Sequence, residues 1–426
     1  AHLDPRATAE LFALLSRLAR SGRHTILIIE HKLDDLIDWV DSVLVLDAEG
    51  RLLFRGSPQE AFYDRASDLD AVGVWRPQTA ELVAALRSSG WPVPGRPLTL
   101  SETTLALAET PGLRERLTTA ARNAATGPGR DEEAGVLGSR LAVLATDRLT
   151  YRYPDGHLAL QGVSMEVKRG DFLALAGANG AGKTTLASLL AGVLDPPQGQ
   201  VFIDGKDAAL LPTWAISDQV GYVFQNPEHQ FVAESVFGEL AFSLSPRAVR
   251  RGRRGGRIVL SEEEEALVNG WLDRLGLRAL AEANPFTLSQ GQKRRLSVAA
   301  MLIRGQAVLI LDEPTLGQDK AQSLLMMEML RDLQREGRTV VMVTHDMRLV
   351  AEYARSLLVL GEGRVLFAGS PADFFVQQGL VEKAGLAVPV VAKVSALLVE
   401  REKDGSALPG PATVEAFLQA VGRWRT

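Results

Sequence analysis

Gly177-Ala178-Asn179-Gly180-Ala181-Gly182-Lys183-Thr184-Thr185 is the stretch whose reading decides the fold. It fits Gly-x4-Gly-Lys-Ser/Thr and stands between an apolar strand-like run, Phe172 to Ala176, and a helix-like run, Thr184 to Ala191. Glycines let the backbone fold tightly enough for successive N–H groups to face a phosphate, and the helix start adds a partial positive charge. In such a loop Lys183 reaches the β- and γ-phosphates and Thr184 offers its hydroxyl to Mg²⁺. A plain Gly-rich turn needs no Lys-Thr at its end. The stretch implies a bound nucleoside triphosphate.

Outward from the loop, 426 residues exceed one common domain, so two or more units are expected. A net charge of −5 gives no reason to expect nucleic acid as the main partner. The absence of cysteine excludes disulfides, thiolate zinc sites and cysteine nucleophiles. No run approaches the roughly 20 apolar residues that span a bilayer, and no signal peptide opens the sequence. The first residue is Ala1 rather than Met, which points to a fragment or a processed product.

The sequence repeats itself. Near its start, His2-Leu3-Asp4-Pro5 leads into a helical pattern, Gly22, a β-rich run from Thr25 to Ile29, Glu30-His31, and a helix-like run to about Val40. Strand-like runs Ser42 to Leu46 and Arg51 to Phe54 then reach Gly56-Ser57-Pro58. Near the other end, Asp319 opens a helical run to about Arg335, followed by Gly337, Thr339 to Val343 and Thr344-His345. Ser356 to Leu360 and Arg364 to Phe367 lead to Gly369-Ser370-Pro371. The match continues from Gly73-Val74-Trp75-Arg76-Pro77 to Gly385-Leu386-Ala387-Val388-Pro389, each followed by helical sequence. Such a period means duplicated units. The expected divisions are a first-copy fragment over 1–60, its helical tail over 61–110, a linker over 111–140, a complete second copy over 141–375, and a second tail over 376–426.

Val308 to Leu311 is an apolar run ending in Asp312-Glu313, as a buried parallel strand delivers acids at its C-terminal end. Asp312 suits Mg²⁺, and Glu313 suits polarising the water that attacks the γ-phosphorus. Arg247 to Arg257 holds six arginines and precedes Glu262 to Glu265. An anion contact is one reading; a solvated loop before an acid-started helix is the other.

Leu288-Ser289-Gln290-Gly291-Gln292, followed by Lys293-Arg294-Arg295, resembles the signature loop of the ABC ATPases. The resemblance implies an α/β fold: a RecA-like P-loop NTPase cassette with an antiparallel β subdomain around Leu141 to Ile203, a helical subdomain around Phe231 to Met301, and small helical tails. It implies ATP and Mg²⁺ as cofactors. Gly177, Asn179, Gly180, Gly182, Lys183, Thr184 and Thr185 would hold the phosphates, and Tyr153 would stack the adenine. Thr184, Gln225 and Asp312 would hold the metal. Glu313, His345 and Gln225 would carry catalysis. Ser289, Gly291, Gln292 and Asp319 would meet nucleotide across a head-to-tail pair of cassettes. The usual Leu-Asp-Pro around that aspartate is here Gln318-Asp319-Lys320. Asp4 and His31 would be the first copy's interface aspartate and switch histidine.

A narrower resemblance, carried by Gln225-Asn226-Pro227-Glu228-His229-Gln230-Phe231-Val232, Glu239-Leu240-Ala241-Phe242 and the Gly-Ser-Pro turn with its tail, is to energy-coupling factor transporter ATPases. It implies a motor for uptake of a vitamin, vitamin precursor, cobalt or nickel. Its partners would be a multi-span membrane coupling subunit and a separate substrate-binding membrane subunit, with the chain peripheral on the cytoplasmic face. Gly317-Gln318-Asp319 and two fused copies are similar to the group linked to thiamine-precursor uptake. The rival readings are a soluble twin-cassette ATPase on ribosomes or DNA, and a nucleotide-binding scaffold without turnover.

Overall fold

Runs of Val, Leu and Ile with no polar interruption need partners on both faces, and the centre of the molecule supplies them. The structure is a computed structural model, and it describes residues 5–30, 33–47, 49–126, 142–245, 260–399 and 408–424. Asp4, His31, the Arg247 to Arg257 run and the linker beyond residue 126 lie outside the described residues.

The central sheet has six strands: β5 (Phe172–Ala176), β8 (Val220–Val223), β9 (Val308–Asp312), β10 (Thr339–Val343), β11 (Ser356–Gly361) and β12 (Arg364–Gly369). Their order is β12-β11-β5-β10-β9-β8, all parallel except the antiparallel edge strand β12. Every residue of β5, β9 and β10 is buried. The flanking Lys183–Leu190 and Lys320–Arg335 helices cover the sheet through Leu186, Leu189 and Leu190 on one side and Met326, Met327, Leu330 and Leu333 on the other.

A second sheet is antiparallel, in the order β4-β3-β6-β7, from β3 (Ala142–Arg152), β4 (Leu158–Lys168), β6 (Val201–Ile203) and β7 (Lys206–Asp207). Helices Val236–Leu244, Glu262–Arg274 and Gln290–Leu302 form a separate apolar cluster around Leu240, Leu272 and Leu296. This is the P-loop cassette fold expected from the sequence.

The first copy departs from expectation. Thr25 to Ile29 forms no strand, and Leu27 and Ile29 are 78% and 91% exposed. Its counterpart β10 lies between β5 and β9, and among the described residues no strand flanks Thr25 to Ile29, so its backbone groups join no ladder. The expected helix toward Val40 is a set of turns held by bonds such as Ile37 N–H to the Leu33 carbonyl at 3.1 Å. β1 (Val43–Leu46) and β2 (Leu52–Gly56) form an isolated antiparallel pair. The Pro5–Arg20 helix forms but buries no residue.

The segment expected as linker is a helix from Leu113 to Thr126, and Leu113, Leu117 and Ala121 are buried. They join the Gln78–Ser88 and Leu100–Ala108 helices and, from the other end of the chain, the Val390–Leu398 and Val414–Val421 helices in one apolar cluster. Trp91 is at its centre: the indole N–H donates to the Gly422 carbonyl at 2.8 Å, and the ring lies 4.9 Å from that of Trp424. The two tails are one helical body.

Candidate nucleotide site

The phosphate loop joins β5 to the Lys183–Leu190 helix, and its glycines are required by geometry. Gly177 has φ +148° and Gly182 φ +97°, which L side chains rarely adopt. A Cβ on Gly177 would overlap the Leu360 carbonyl oxygen, and one on Gly182 would lie 2.7 Å from the Ala159 carbonyl oxygen. Asn179 and Gly180 are exposed at the loop tip. Lys183 is buried beneath the loop and donates to the Gly177 and Ala178 carbonyls at 2.8 and 2.9 Å. Its ammonium therefore already lies at the loop's backbone, where a phosphate would be cradled.

Strands β5, β9 and β10 end at the same edge and bring four further groups there. The Thr184 hydroxyl donates to Asp312 Oδ2 at 2.8 Å, and burial holds the Asp312 carboxyl above its ordinary range despite that bond. Glu313 Oε1 is 2.6 Å from His345 Nδ1, and Thr344 Oγ1 donates to Glu313 Oε2 at 3.3 Å. Glu313 has φ +48° in the left-handed region that side chains avoid, with its N–H donating to the Val343 carbonyl at 2.9 Å. Thr184, Asp312, Glu313 and His345 thus stand together.

The remaining expected residues have other settings. Tyr153 turns its hydroxyl to Thr185 Oγ1, 3.1 Å away, and packs edge-on against Tyr151 at 5.2 Å. Gln225 is exposed just beyond β8. Ser289 is the N-cap of the Gln290–Leu302 helix, accepting from the Gln292 N–H at 3.3 Å while Gln292 Oε1 accepts from the Ser289 N–H at 2.9 Å. Gly291 packs so closely on Gln322 that a Cβ would overlap the side-chain amide. Asp319 caps the Lys320–Arg335 helix, accepting from the Gln322 N–H at 2.8 Å. Ser289 and Asp319 each make these bonds at the start of their own helix.

Arg294 escaped the reading of the sequence. It is only 4% exposed, and its guanidinium donates to the Phe224 and Gln225 carbonyls at 2.6 Å each and to the Glu313 carbonyl at 3.3 Å. Burial pushes its pKa down to about 10, which leaves it a cation. It ties the signature helix to both the glutamine segment and the strained acid. The signal was present in Lys293-Arg294-Arg295, three consecutive bases that are all buried in a largely buried helix.

The donor set suits a magnesium nucleotide. Thr184 and Asp312 offer paired hard oxygens, and Gly180 puts no side chain over the loop tip. Among the described residues no helix is long and apolar enough to cross a membrane.

A family model described as ABC transporter matches residues 160–316. An ABC transporter ATP-binding protein of Methanosarcina mazei, provisionally so named, is 35% identical over 98% of this chain and 68% of its own length. The provisionally named HMP/thiamine import ATP-binding protein YkoD of Bacillus subtilis is 35% identical over 91% of this chain and 64% of its own. The energy-coupling factor transporter ATP-binding protein EcfA3 of Clostridium perfringens is 34% identical over 62% of this chain and 89% of its own. The chain spans about two thirds of the length of the first two.

Proposed function

Given that the chain belongs to the ABC transporter ATP-binding proteins and carries an ABC ATPase cassette, we propose that it is the motor of an energy-coupling factor type importer. It would power uptake of a vitamin, a vitamin precursor or a metal ion through separate membrane subunits, from a peripheral position on the membrane's cytoplasmic face. The observation that carries the motor reading is the convergence of Thr184 on Asp312 and of His345 on Glu313 at one sheet edge. The importer type is supported by likeness to EcfA3 and to the import protein of Bacillus subtilis.

Lys183 and the loop amides would bind the phosphates, and Thr184 and Asp312 would hold Mg²⁺, which supplies charge neutralisation at the β- and γ-phosphates. Glu313 would polarise the attacking water, oriented by its bond to His345. Ser289, Gly291 and Asp319 would act on nucleotide held by a second cassette. Lys183 and Ser289 then belong to opposite composite sites.

The test is a titration with a fluorescent ATP analogue and Mg²⁺, alongside hydrolysis measured against protein concentration. Binding should fall by at least about 100-fold in Lys183→Ala, as loss of a charge-assisted phosphate contact predicts. Specific turnover should rise with concentration as second cassettes pair. Robust hydrolysis by a strictly monomeric sample would sink the composite-site reading.

A further inference from the structure

Glu81 belongs to the Gln78–Ser88 helix of the first tail, yet its carboxylate reaches into the second cassette. Oε1 accepts from Lys320 Nζ at 3.2 Å, and Oε2 accepts from Arg348 Nη2 at 2.6 Å. Lys320 directly follows Asp319, and Arg348 lies three residues beyond His345. The Glu81, Lys320 and Arg348 side chains are 12%, 17% and 26% exposed, so solvent screens these pairs less than an ordinary surface pair.

Further bonds run between the same two bodies. Lys320 Nζ also donates to Asp70 at 3.1 Å, and the Lys320 backbone N–H donates to the Gly73 carbonyl at 3.2 Å. The Trp75 ring takes the Arg348 guanidinium 4.6 Å and the Lys320 ammonium 5.8 Å from its centroid. Lys320 stands where the first copy has Pro5, and a proline could make neither the ammonium nor the backbone bond.

The internal repeat shows how the cluster was made one-sided. Aligning Pro77 with Pro389 places Lys393 opposite Glu81 and Ala387 opposite Trp75. Aligning His31 with His345 places Asp34 opposite Arg348. Each charge is inverted. Asp34 itself stands at the start of the Glu81 helix, accepting from the Gln78 N–H at 2.7 Å. Two second halves docked in this way would set Lys393 against Arg348, whereas in this chain Arg348 faces Glu81 with Asp34 close by.

We propose that Glu81 is a positioning residue that seats the Asp319-Lys320 and His345 to Arg348 segments of the second cassette on the first tail, and that the inverted charges restrict this seat to the tail of the unlike half. Charge complementarity of this kind selects partners by making the wrong pairings repulsive. Docking within the chain in this way does not depend on which solute is transported.

Amide hydrogen exchange on the whole chain reads it directly, because the Lys320 N–H bonds across the junction. Glu81→Gln, which keeps shape and loses charge, should speed exchange at Lys320 and over residues 347–351 by about tenfold. Glu81→Lys should speed it further through repulsion from both cations, whereas Glu81→Asp should stay within about threefold of wild type. Exchange in the Leu113–Thr126 helix should be unchanged, which reports that the tail is folded. Wild-type protection in Glu81→Gln would overturn the positioning role even if Glu81→Lys unfolds the tail. Equal effects of Gln and Lys would overturn charge selection.

Discussion

Glu313 is held in an unfavourable backbone state, φ +48°, by bonds from both sides: its N–H to Val343 and its carbonyl from Arg294. Left-handed backbone at a non-glycine residue costs of order 1–3 kcal/mol, and the surrounding bonds hold the carboxylate beside His345. Glu313→Gln should leave affinity for the Mg²⁺ complex of a fluorescent ATP analogue within about threefold and lower kcat by roughly 10²–10⁴, the range for loss of a general base. Phosphate release at saturating ATP measures it; wild-type kcat would remove Glu313 from the mechanism.

Asp34 carries a pH prediction at the same scale. Burial pushes its carboxyl from 3.8 up to about 6, against the opposing pull of the Gln78 N–H bond and of Arg348. Because the folded value is raised, its favourable contribution is fully present below 3.8 and is lost as pH rises through about 6. Asp34→Asn keeps an acceptor for the Gln78 N–H and cannot ionise. The variant should therefore melt above wild type at pH 7 to 8, with the gap closing by about pH 4. A gap that widens on acidification would reverse the sign.

At the scale of elements, glycines that look alike in the sequence differ in what opposes them. A methyl group on Gly177 meets fixed backbone at a positive φ, so Gly177→Ala should lower stability by about 1–3 kcal/mol in urea unfolding. Gly291 lies in a helix and faces a side chain rather than backbone, the Gln322 amide that also accepts from Arg295. There the propensity gain of alanine, up to about 1 kcal/mol, offsets the crowding, and Gly291→Ala should be near neutral for folding. Equal losses in the two variants would contradict the packing described. The Thr25 to Ile29 run teaches the converse. Its composition is that of a strand, but a strand exists only where neighbours complete its ladder, and here it is exposed coil.

Over the whole molecule, the tails join chain segments some 300 residues apart. Trp91 is 1% exposed, with its N–H on Gly422 and the Arg116 guanidinium 5.2 Å from its ring centroid. Arg114 and Arg116 donate to the Leu398 and Val421 carbonyls at 3.0 Å each. Trp91→Ala should cost about 3–5 kcal/mol. It should raise amide exchange together in the Leu100–Ala108 and Val414–Val421 helices. Loss of protection confined to the first tail would refute a shared core.

The sequence by itself determined the nucleotide loop, the acids closing β9, the helix begun at Asp319 and the duplication, because each rests on local spacing, on chain geometry or on a repeated order of elements. It also carried the cassette fold, through the resemblance of Leu288 to Gln292 to the ABC signature and through largely apolar runs that suit interior strands of a covered sheet. Tertiary structure alone decided which residues meet: Arg294 under Glu313, Lys320 and Arg348 on Glu81, and a supposed linker packed as the Leu113–Thr126 helix between two tails. Those outcomes depend on contacts between distant segments, where burial makes a charge or an apolar side chain count and local pattern carries no record of the partner.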